Sequence, residues 1–373
     1  ETMIEEVLKD IYKIEIPLPR NPLRAVNSYV IKAPKRNLII DTGLNREECM
    51  DAMRIGLSKL GVNLRKTDFY ITHSHADHFG LVSSLATESS KIYFNKPDAE
   101  EVEMAAKGGL WDDMGKYARL NGFPEEELKA ALNNNPGHKY GSKLAVPLII
   151  LKEGDTISIG EYLFKGVATP GHTRGHMCLY EPDKRLLVSG DHILGDVTPN
   201  IQSWSDQGNP LYDYLASLDK VYELDVEVVL PGHRGILKNF RERVRELKKH
   251  HKKRAEEVLS ILKKGSRNAF QVALEMKWNI NAESWDLFPA QQKLFATGEA
   301  MAHLKYLVEK GMITKEMLDG KTVYSLNGDS GFDRPQDSRI LTPLQNRVIG
   351  IFLGGIRNQE IKSYPPWWRN CIL

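Results

Sequence analysis

Four side chains able to ligate a metal ion fall within six consecutive positions, His73-Ser74-His75-Ala76-Asp77-His78, directly after the apolar run Phe69-Tyr70-Ile71. In an extended segment, side chains two apart lean to the same side, so His73 and His75 can pinch one ion. Asp77 and His78 come as the chain turns and can address a second ion beside the first. Neutral imidazoles with a carboxylate suit zinc, and an open coordination position would generate hydroxide at neutral pH. A chain with eleven histidines crowds a few by chance now and then, so the weight of this cluster depends on three segments further along the chain.

Those segments repeat one design. Thr169-Pro170-Gly171-His172-Thr173-Arg174-Gly175-His176 puts a histidine in a Pro-Gly turn after the strand-like run 162–167. Ser189-Gly190-Asp191-His192 follows Leu186-Leu187-Val188, and Leu230-Pro231-Gly232-His233 follows Glu227-Val228-Val229. Each delivers a polar ligand from a strand end, with glycine or proline fixing the course of the loop. Any one of these is weak, because Gly-His after a strand is common. All of them in one chain are specific.

With these motifs in this order, the chain resembles the metallo-β-lactamase superfamily over residues 10–240. The resemblance implies that His73, His75 and His172 hold a first metal, that Asp77, His78 and His233 hold a second, and that Asp191 bridges them. It implies two Zn2+ per chain, with iron or manganese as the alternatives. Asp41-Thr42-Gly43, after Leu38-Ile39-Ile40, matches the family's early Asp-Thr-Gly turn, which supports the site without ligating it. The His-x-His-x-Asp-His form with an aspartate at position 191 is similar to the glyoxalase II and lactonase branches, and the C-terminal module appended to it resembles the LACTB-2-like group. Classical β-lactamases carry a cysteine there, which argues against penicillin hydrolysis.

The resemblance further implies a zinc-dependent hydrolase in which a metal-bridging hydroxide attacks a small ester-like substrate. Asp77 would orient that hydroxide. His192, beside the bridging aspartate, is a candidate proton donor, its competing role being to pack behind the ligands. His176 is expected to brace the His172 loop. An acyl-CoA type of thioester is favoured over a lactone. The alternatives on the same dinuclear site are an endoribonuclease or phosphodiesterase, and a hydrolytic dehalogenase, because one fold supports many reactions. A regulator with a vestigial site is disfavoured, since no ligand position has been lost.

The elements that must carry these loops are strands alternating with helices. The runs 11–16, 28–31, 38–40 and 69–71 read as strands. Over residues 46–60, Met50, Met53, Leu57 and Leu60 recur at helical spacing. The expected fold is α/β, a four-layer αβ/βα sandwich in a hydrolase domain 1–240, followed by a small winged-helix-like domain 241–326 and a tail 327–373. Residues 96–143 break the rhythm as a helical insertion, with a helix start at Pro124-Glu125 and a stop at Asn133-Asn134-Asn135-Pro136-Gly137. That insertion could cap the site, with Trp111 and Phe123 lining a substrate pocket, or could pack against a second copy in a homodimer. Asn200 and Trp204, in the stretch 197–213, are further candidates to face substrate.

Composition sets the outer bounds. A formal charge of +2 provides no global field for nucleic acid or an acidic membrane. Only the helix over 240–264, with Arg241, Arg243, Arg245, Lys248, Lys249, Lys252, Lys253 and Arg254, offers local basic charge. A nucleic-acid partner is therefore not favoured over a small-molecule substrate. Cys49, Cys178 and Cys371 form no CxxC pair, and the first residues lack a signal-like apolar run, which together point to the cytoplasm. Met3 reads as the natural start. No apolar run approaches the length of a membrane span. The last segment holds Pro365-Pro366-Trp367-Trp368 but is weakly patterned, and reads as a partner-binding or dimer segment or an extension without fixed structure.

Overall fold

The computed structural model describes residues 2–19, 21–141, 147–278 and 284–328. The first sheet is built from β1 (Ile4–Leu8), β2 (Ile11–Pro17), β3 (Ala25–Ile31), β4 (Asn37–Ile40), β5 (Thr67–Tyr70), β6 (Ile92–Phe94) and β7 (Leu148–Ile150), in that spatial order. Its first four strands pair antiparallel, and β4 to β7 run parallel. The second sheet holds β8 (Thr156–Ile159), β9 (Tyr162–Ala168), β10 (Met177–Glu181), β11 (Leu186–Gly190) and β12 (Val228–Pro231), antiparallel except for the parallel pair β11–β12. A separate hairpin pairs β13 (Ile313–Leu318) with β14 (Lys321–Leu326).

The central strands of both sheets are buried on both faces, whereas β1, β7 and β8 at the edges are partly exposed, and the period of two sorts side chains between layers. Leu38, Ile40 and Tyr70 meet Phe164, Met177, Leu179, Leu186, Val188 and Leu230 in the space between the sheets. Their neighbours Ile39, Phe69 and Ile71 point the other way, onto the helix α1 (Glu47–Lys59) through Cys49, Met53 and Leu57. On the far side, Val167, Cys178, Leu187 and Val229 face the outer helices of the second sheet. The result is the αβ/βα sandwich. Burying a side chain such as Met53 or Leu57 contributes roughly 1.5–3 kcal/mol, which is what fixes α1 to the sheet.

The short helices α2 (Ala76–Phe79) and α3 (Val82–Leu85) follow β5. The insertion is helical as expected, with α4 (Lys96–Ala106), α5 (Gly109–Leu120), α6 (Glu125–Asn133) and α7 (Pro136–Tyr140). Its Asn-Pro stretch does not only stop a helix. Asn135 accepts from the Gly137 amide and caps α7, whose first residue is Pro136, so a stop and a start share the same residues. The insertion also docks. Lys293 pairs with Glu127 at 2.8 Å, and the Tyr324 hydroxyl reaches Asn121 at 3.2 Å.

Beyond α8 (Pro210–Tyr222) come α9 (Phe240–Leu262), α10 (Ala269–Glu275) and α11 (Ala290–Glu309), then the hairpin. Three helices followed by a hairpin is the order expected of the C-terminal module. Its core is not its own, however: Val258, Ala300, Leu304 and Tyr324 belong to one apolar cluster with Leu187 and Val229 of the second sheet. No helix among the described residues is long and apolar enough to cross a membrane. The expected tail lies, from residue 329 onward, outside the described residues, as does Cys371. Cys49 and Cys178 are buried free thiols, and burial raises them to about 11 and about 12.

Candidate metal centre

The parallel strands β4, β5, β11 and β12 all end at one edge of the sandwich; β5, β11 and β12 hand the chain to ligand-bearing turns, and β4 to the Asp41 turn that supports them. At such edges backbone geometry leaves loops free to converge. Gly190 shows why the turn residue matters. Its φ is +47°, and a Cβ there would stand 2.7 Å from His176 Nε2 and 2.9 Å from Thr72. Gly232 has a second reason to lack a side chain, since a Cβ would come 2.4 Å from Asp191 Oδ1.

The structure brings all seven sequence-derived candidates together in two groups. In each, one ligand atom per residue lies within 4.8 Å of the others: His73, His75, His172 and Asp191 in one group, Asp77, His78 and His233 in the other. His73 Nε2 lies 3.1 Å from His75 Nδ1, which lies 2.9 Å from His172 Nε2. Asp191 stands between the groups. Its Oδ2 is 3.6 Å from His172 Nε2 and 3.4 Å from His233 Nε2, and its Oδ1 is 3.5 Å from His78 Nε2. Asp77 Oδ2 reaches His233 Nε2 at 3.4 Å. His75 is the exposed member, and Asp77 is half-buried.

In four of the five histidines, His73, His78, His172 and His233, the ring nitrogen that faces away from the centre has a partner, which fixes the ring's orientation. His78 Nδ1 meets Asp41 Oδ2 at 2.7 Å, and the same carboxylate accepts from the Thr72 hydroxyl at 2.8 Å. Thr72 Oγ1 is 2.9 Å from His73 Nδ1. His172 Nδ1 donates to the Asn200 carbonyl at 2.9 Å, and His233 Nδ1 donates to the Ala25 carbonyl at 2.7 Å. The inward atoms His78 Nε2, His233 Nε2 and Asp191 Oδ1 are buried without a hydrogen-bond partner. Buried polar atoms left without a partner in this way are costly unless a cation completes the site. A donor set of imidazole nitrogens and carboxylate oxygens therefore fits a divalent metal.

Electrostatics split the two groups. Burial, with His78 and His75 nearby, holds His73 well below its ordinary value, and burial with His75 lowers His172 to about 3. Both are neutral donors. Burial also pushes His233 down, but Asp191 and Asp77 outweigh it and carry the ring up to about 10. His78 is likewise driven up by Asp191, Asp41 and Asp77 against its burial. Asp191 and Asp77 stay ionised, because the facing histidines outweigh their desolvation.

The remaining candidates land away from the ligand atoms. His192 is fully buried, its ring 5.2 Å from Tyr214 and 6.0 Å from His176, and burial with His172 nearby lowers it to about 3. That placement suits packing behind the ligands. Phe123, expected to face substrate, is turned into a packed seam. It is 2 % exposed, edge-on to Phe270 at 5.5 Å and packed with Leu128 and Leu294, because the insertion uses it to dock on α10 and α11. Trp111 lies edge-on to His138 of α7 at 5.3 Å. Trp204 packs over Gly298 of α11, its indole donating to Gln202 at 2.6 Å. Asn200 does reach the centre, but through its backbone carbonyl.

His176 does not only brace the His172 loop. Its Nε2 accepts from the Asp191 amide at 3.2 Å while Nδ1 meets Thr169 at 2.8 Å, so it ties the bridging residue to that loop. Sequence reading missed Asp98 of α4. Its carboxylate accepts from the amides of Ser74 at 2.9 Å and Gly175 at 2.6 Å and from the Thr173 hydroxyl at 2.6 Å, locking the first ligand motif to the second. Asn27 was missed as well; its side-chain amide donates to the carbonyls of Pro231 and Arg234 on either side of His233. Neither sits in a motif, and only a buried polar residue at a strand end or in the first turn of a helix could have signalled it.

Comparison with known proteins agrees with this arrangement. The family model described as the metallo-beta-lactamase superfamily matches residues 21–233. The chain is 25% identical over 320 residues to the beta-lactamase-like protein 2 homolog of Caenorhabditis elegans, covering 84% of this chain and 90% of that one. It is 29% identical over 218 residues to an acyl-coenzyme A thioesterase of Gallus gallus, covering 56% and 72%. Among solved structures, a metallo-beta-lactamase family protein of Thermus thermophilus superposes with a TM-score of 0.73 at 27% identity, covering 86% of this chain and 100% of that one.

Proposed function

We propose that this chain, which belongs to the metallo-β-lactamase superfamily and is a metal-dependent hydrolase of that fold, hydrolyses thioesters of the acyl-CoA type at a dinuclear zinc centre. One observation carries the reading: six nitrogen and oxygen donors, with no thiolate among them, surround the Asp191 carboxylate, which reaches both groups. The choice of a thioester is supported by the likeness to the chicken acyl-coenzyme A thioesterase.

When bound, the metal pair supplies Lewis acidity and lowers the pKa of water toward about 7. The chain's own residues do the rest. His73, His75 and His172 would hold one ion, Asp77, His78 and His233 the other, and Asp191 both. Asp41 and Thr72 keep the rings of His78 and His73 turned inward. Asp77 is ionised and half-buried, so it can accept a hydrogen bond from the attacking water and orient it. No imidazole beyond the ligands is charged at the centre, since His192 and His176 are both held down by burial. That suits a thiolate leaving group, whose conjugate thiol ionises near about pH 8.5, better than an alkoxide, which needs a proton.

The RNA alternative loses half of the basic helix, four of its eight named cations, to contacts within the molecule. Along α9, Arg243 donates to the carbonyls of Leu194 and Val197, Arg245 to the Tyr222 hydroxyl, Lys248 pairs with Asp219 and Arg254 with Glu299. Those cations are engaged inside the molecule.

Thiol release from a panel of acyl-CoA thioesters by zinc-loaded protein tests the reading, with His73→Ala as control. Turnover that disappears in the control is expected. Silence across the panel, with two metals per chain shown by elemental analysis, would overturn it.

A further inference from the structure

Beside the metal centre, on the same edge of the sandwich, lies a cleft of about 250 Å³ between the start of α4 and the ends of β7 and β9. Three cations stand around it, Lys96, Lys152 and Arg174, all exposed. Ile150, Pro97 and Pro170 supply an apolar wall. Lys96 is 3.6 Å from Glu100, a loose pair between exposed side chains. Neither Lys152 nor Arg174 makes an ion pair among the described residues; of the acids close by, Glu153 is engaged by Lys220 and the Ala168 amide, Asp155 accepts from the Lys152 amide and Asp98 from the Gly175 amide. Lys152 and Arg174 thus stand at the cleft without an ion-pair partner among the described residues.

A second and independent feature points the same way. Asn95 is 4 % exposed and lines the cleft. Its Oδ1 caps α4 by accepting from the Asp98 amide at 3.0 Å, which fixes the orientation of the side-chain amide. The Nδ2 donor is then left buried without an acceptor. Buried donors are almost always satisfied in folded proteins, so an orphan on a residue that lines the cleft points to an acceptor oxygen brought by what binds there. The cleft also shares its wall with the ligand loop, for Pro170, Arg174 and Gly175 flank His172 and His176. A group held there would be joined to whatever occupies the centre.

We infer that this cleft binds a phosphate of the carrier thiol, so that the substrate is a thioester on a phosphopantetheine-type arm rather than on a small unphosphorylated thiol. This rests on the thioesterase reading above. The charged end of the arm sits against Lys96, Lys152, Arg174 and the Asn95 amide, while the thioester carbonyl reaches the centre past the His172 loop. The phosphates of a CoA thioester come from two places, the pantetheine phosphate and the terminal nucleotide, and both offer the same oxygens.

The experiment compares one acyl group carried on CoA, on pantetheine phosphate and on pantetheine, using zinc-loaded protein and the doubly reversed Lys152→Glu/Arg174→Glu variant. Both substituted side chains are exposed, so folding is expected to survive. The native protein should favour CoA over pantetheine by roughly tenfold or more in KM, the scale of one charge-assisted hydrogen bond, and the variant should lose that preference. If pantetheine phosphate retains the preference, the pantetheine phosphate is the bound one; if only CoA does, the nucleotide is. Equal KM for CoA and pantetheine in the native protein overturns the inference. In parallel, calorimetry with the thioether S-ethyl-CoA reads binding without any reaction. Charge-dependent thioether binding with no turnover on any ester would sink the thioesterase reading and leave the phosphate cleft standing. Turnover with thioether binding unchanged by the double reversal would do the opposite.

Discussion

The carboxylates around His78 and His233 favour the protonated rings in the metal-free protein, and a divalent cation must displace those protons. Burial alone would strip both rings, but the carboxylates of Asp191 and Asp77 outweigh it, with Asp41 adding to the effect at His78, and His233 rises to about 10. Metal uptake near neutral pH is therefore expected to release protons, and apparent affinity to fall as the medium is made more acidic. Calorimetry in two buffers of different ionisation enthalpy reads the release directly; identical heats in both would contradict it. The same shift has a stability consequence in chelator-treated protein. A pKa raised in the folded state contributes stability that is complete below the ordinary 6.5 and is lost as the pH climbs through about 10. The denaturant midpoint of that sample should fall over this window. Replacing Asp41 by Asn should weaken metal binding about 10–100-fold, measured against a competing chelator, because it loosens the rings of both His78 and His73. At this scale the sequence was legible wherever a ligand sat in a turn marked by glycine or proline. Ala25 and Asn200 were illegible because each acts through its backbone carbonyl, which any residue possesses.

Asp98 works between elements. It ties the start of α4 to the turn after β5 and to the loop after β9, receiving three hydrogen bonds from buried groups of those two loops. Asp98→Ala should therefore destabilise the protein by about 3 kcal/mol or more, since each buried donor left alone costs about 1–3 kcal/mol. Urea unfolding measures it, and a midpoint within error of the native one would show the tie to be idle. The strands and long helices that carry the ligands were readable because their apolar positions recur with a period of two or of about 3.6. β13 was not readable. All but its first residue are exposed, so no alternation marks it, and its pairing with β14 is set by the turn at Asp319 and Gly320, both at positive φ. α7 was hidden for a different reason, since Asn135 and Pro136 mark an end as readily as a beginning.

Across the whole molecule, the insertion and the C-terminal module are joined by packed side chains. Phe123, Leu128 and Leu294 form the seam, Phe270 closes it, and Lys293 with Glu127 flanks it. Phe123→Ala should cost about 3–5 kcal/mol of stability with the order of preferred acyl chains unaltered. A changed order at unchanged stability would restore Phe123 to the substrate pocket. The four-layer sandwich was legible as a whole, because ligand motifs and strand runs repeat in a fixed order. The sharing of one core between sandwich and module was not, because period reports which face of an element is buried and never against what.

That sharing reaches the centre itself. The Asn200 carbonyl that turns His172 inward belongs to a stretch whose next residues lie on α11, where the Ser203 amide donates to the Gly298 carbonyl at 3.1 Å and Trp204 covers the glycine so closely that a Cβ would stand 2.7 Å from its ring. The two halves of the chain must consequently be inherited as a matched pair. A recombinant that borrowed its last helices from a relative with a bulkier residue at position 298 would keep every ligand and still misalign one of them.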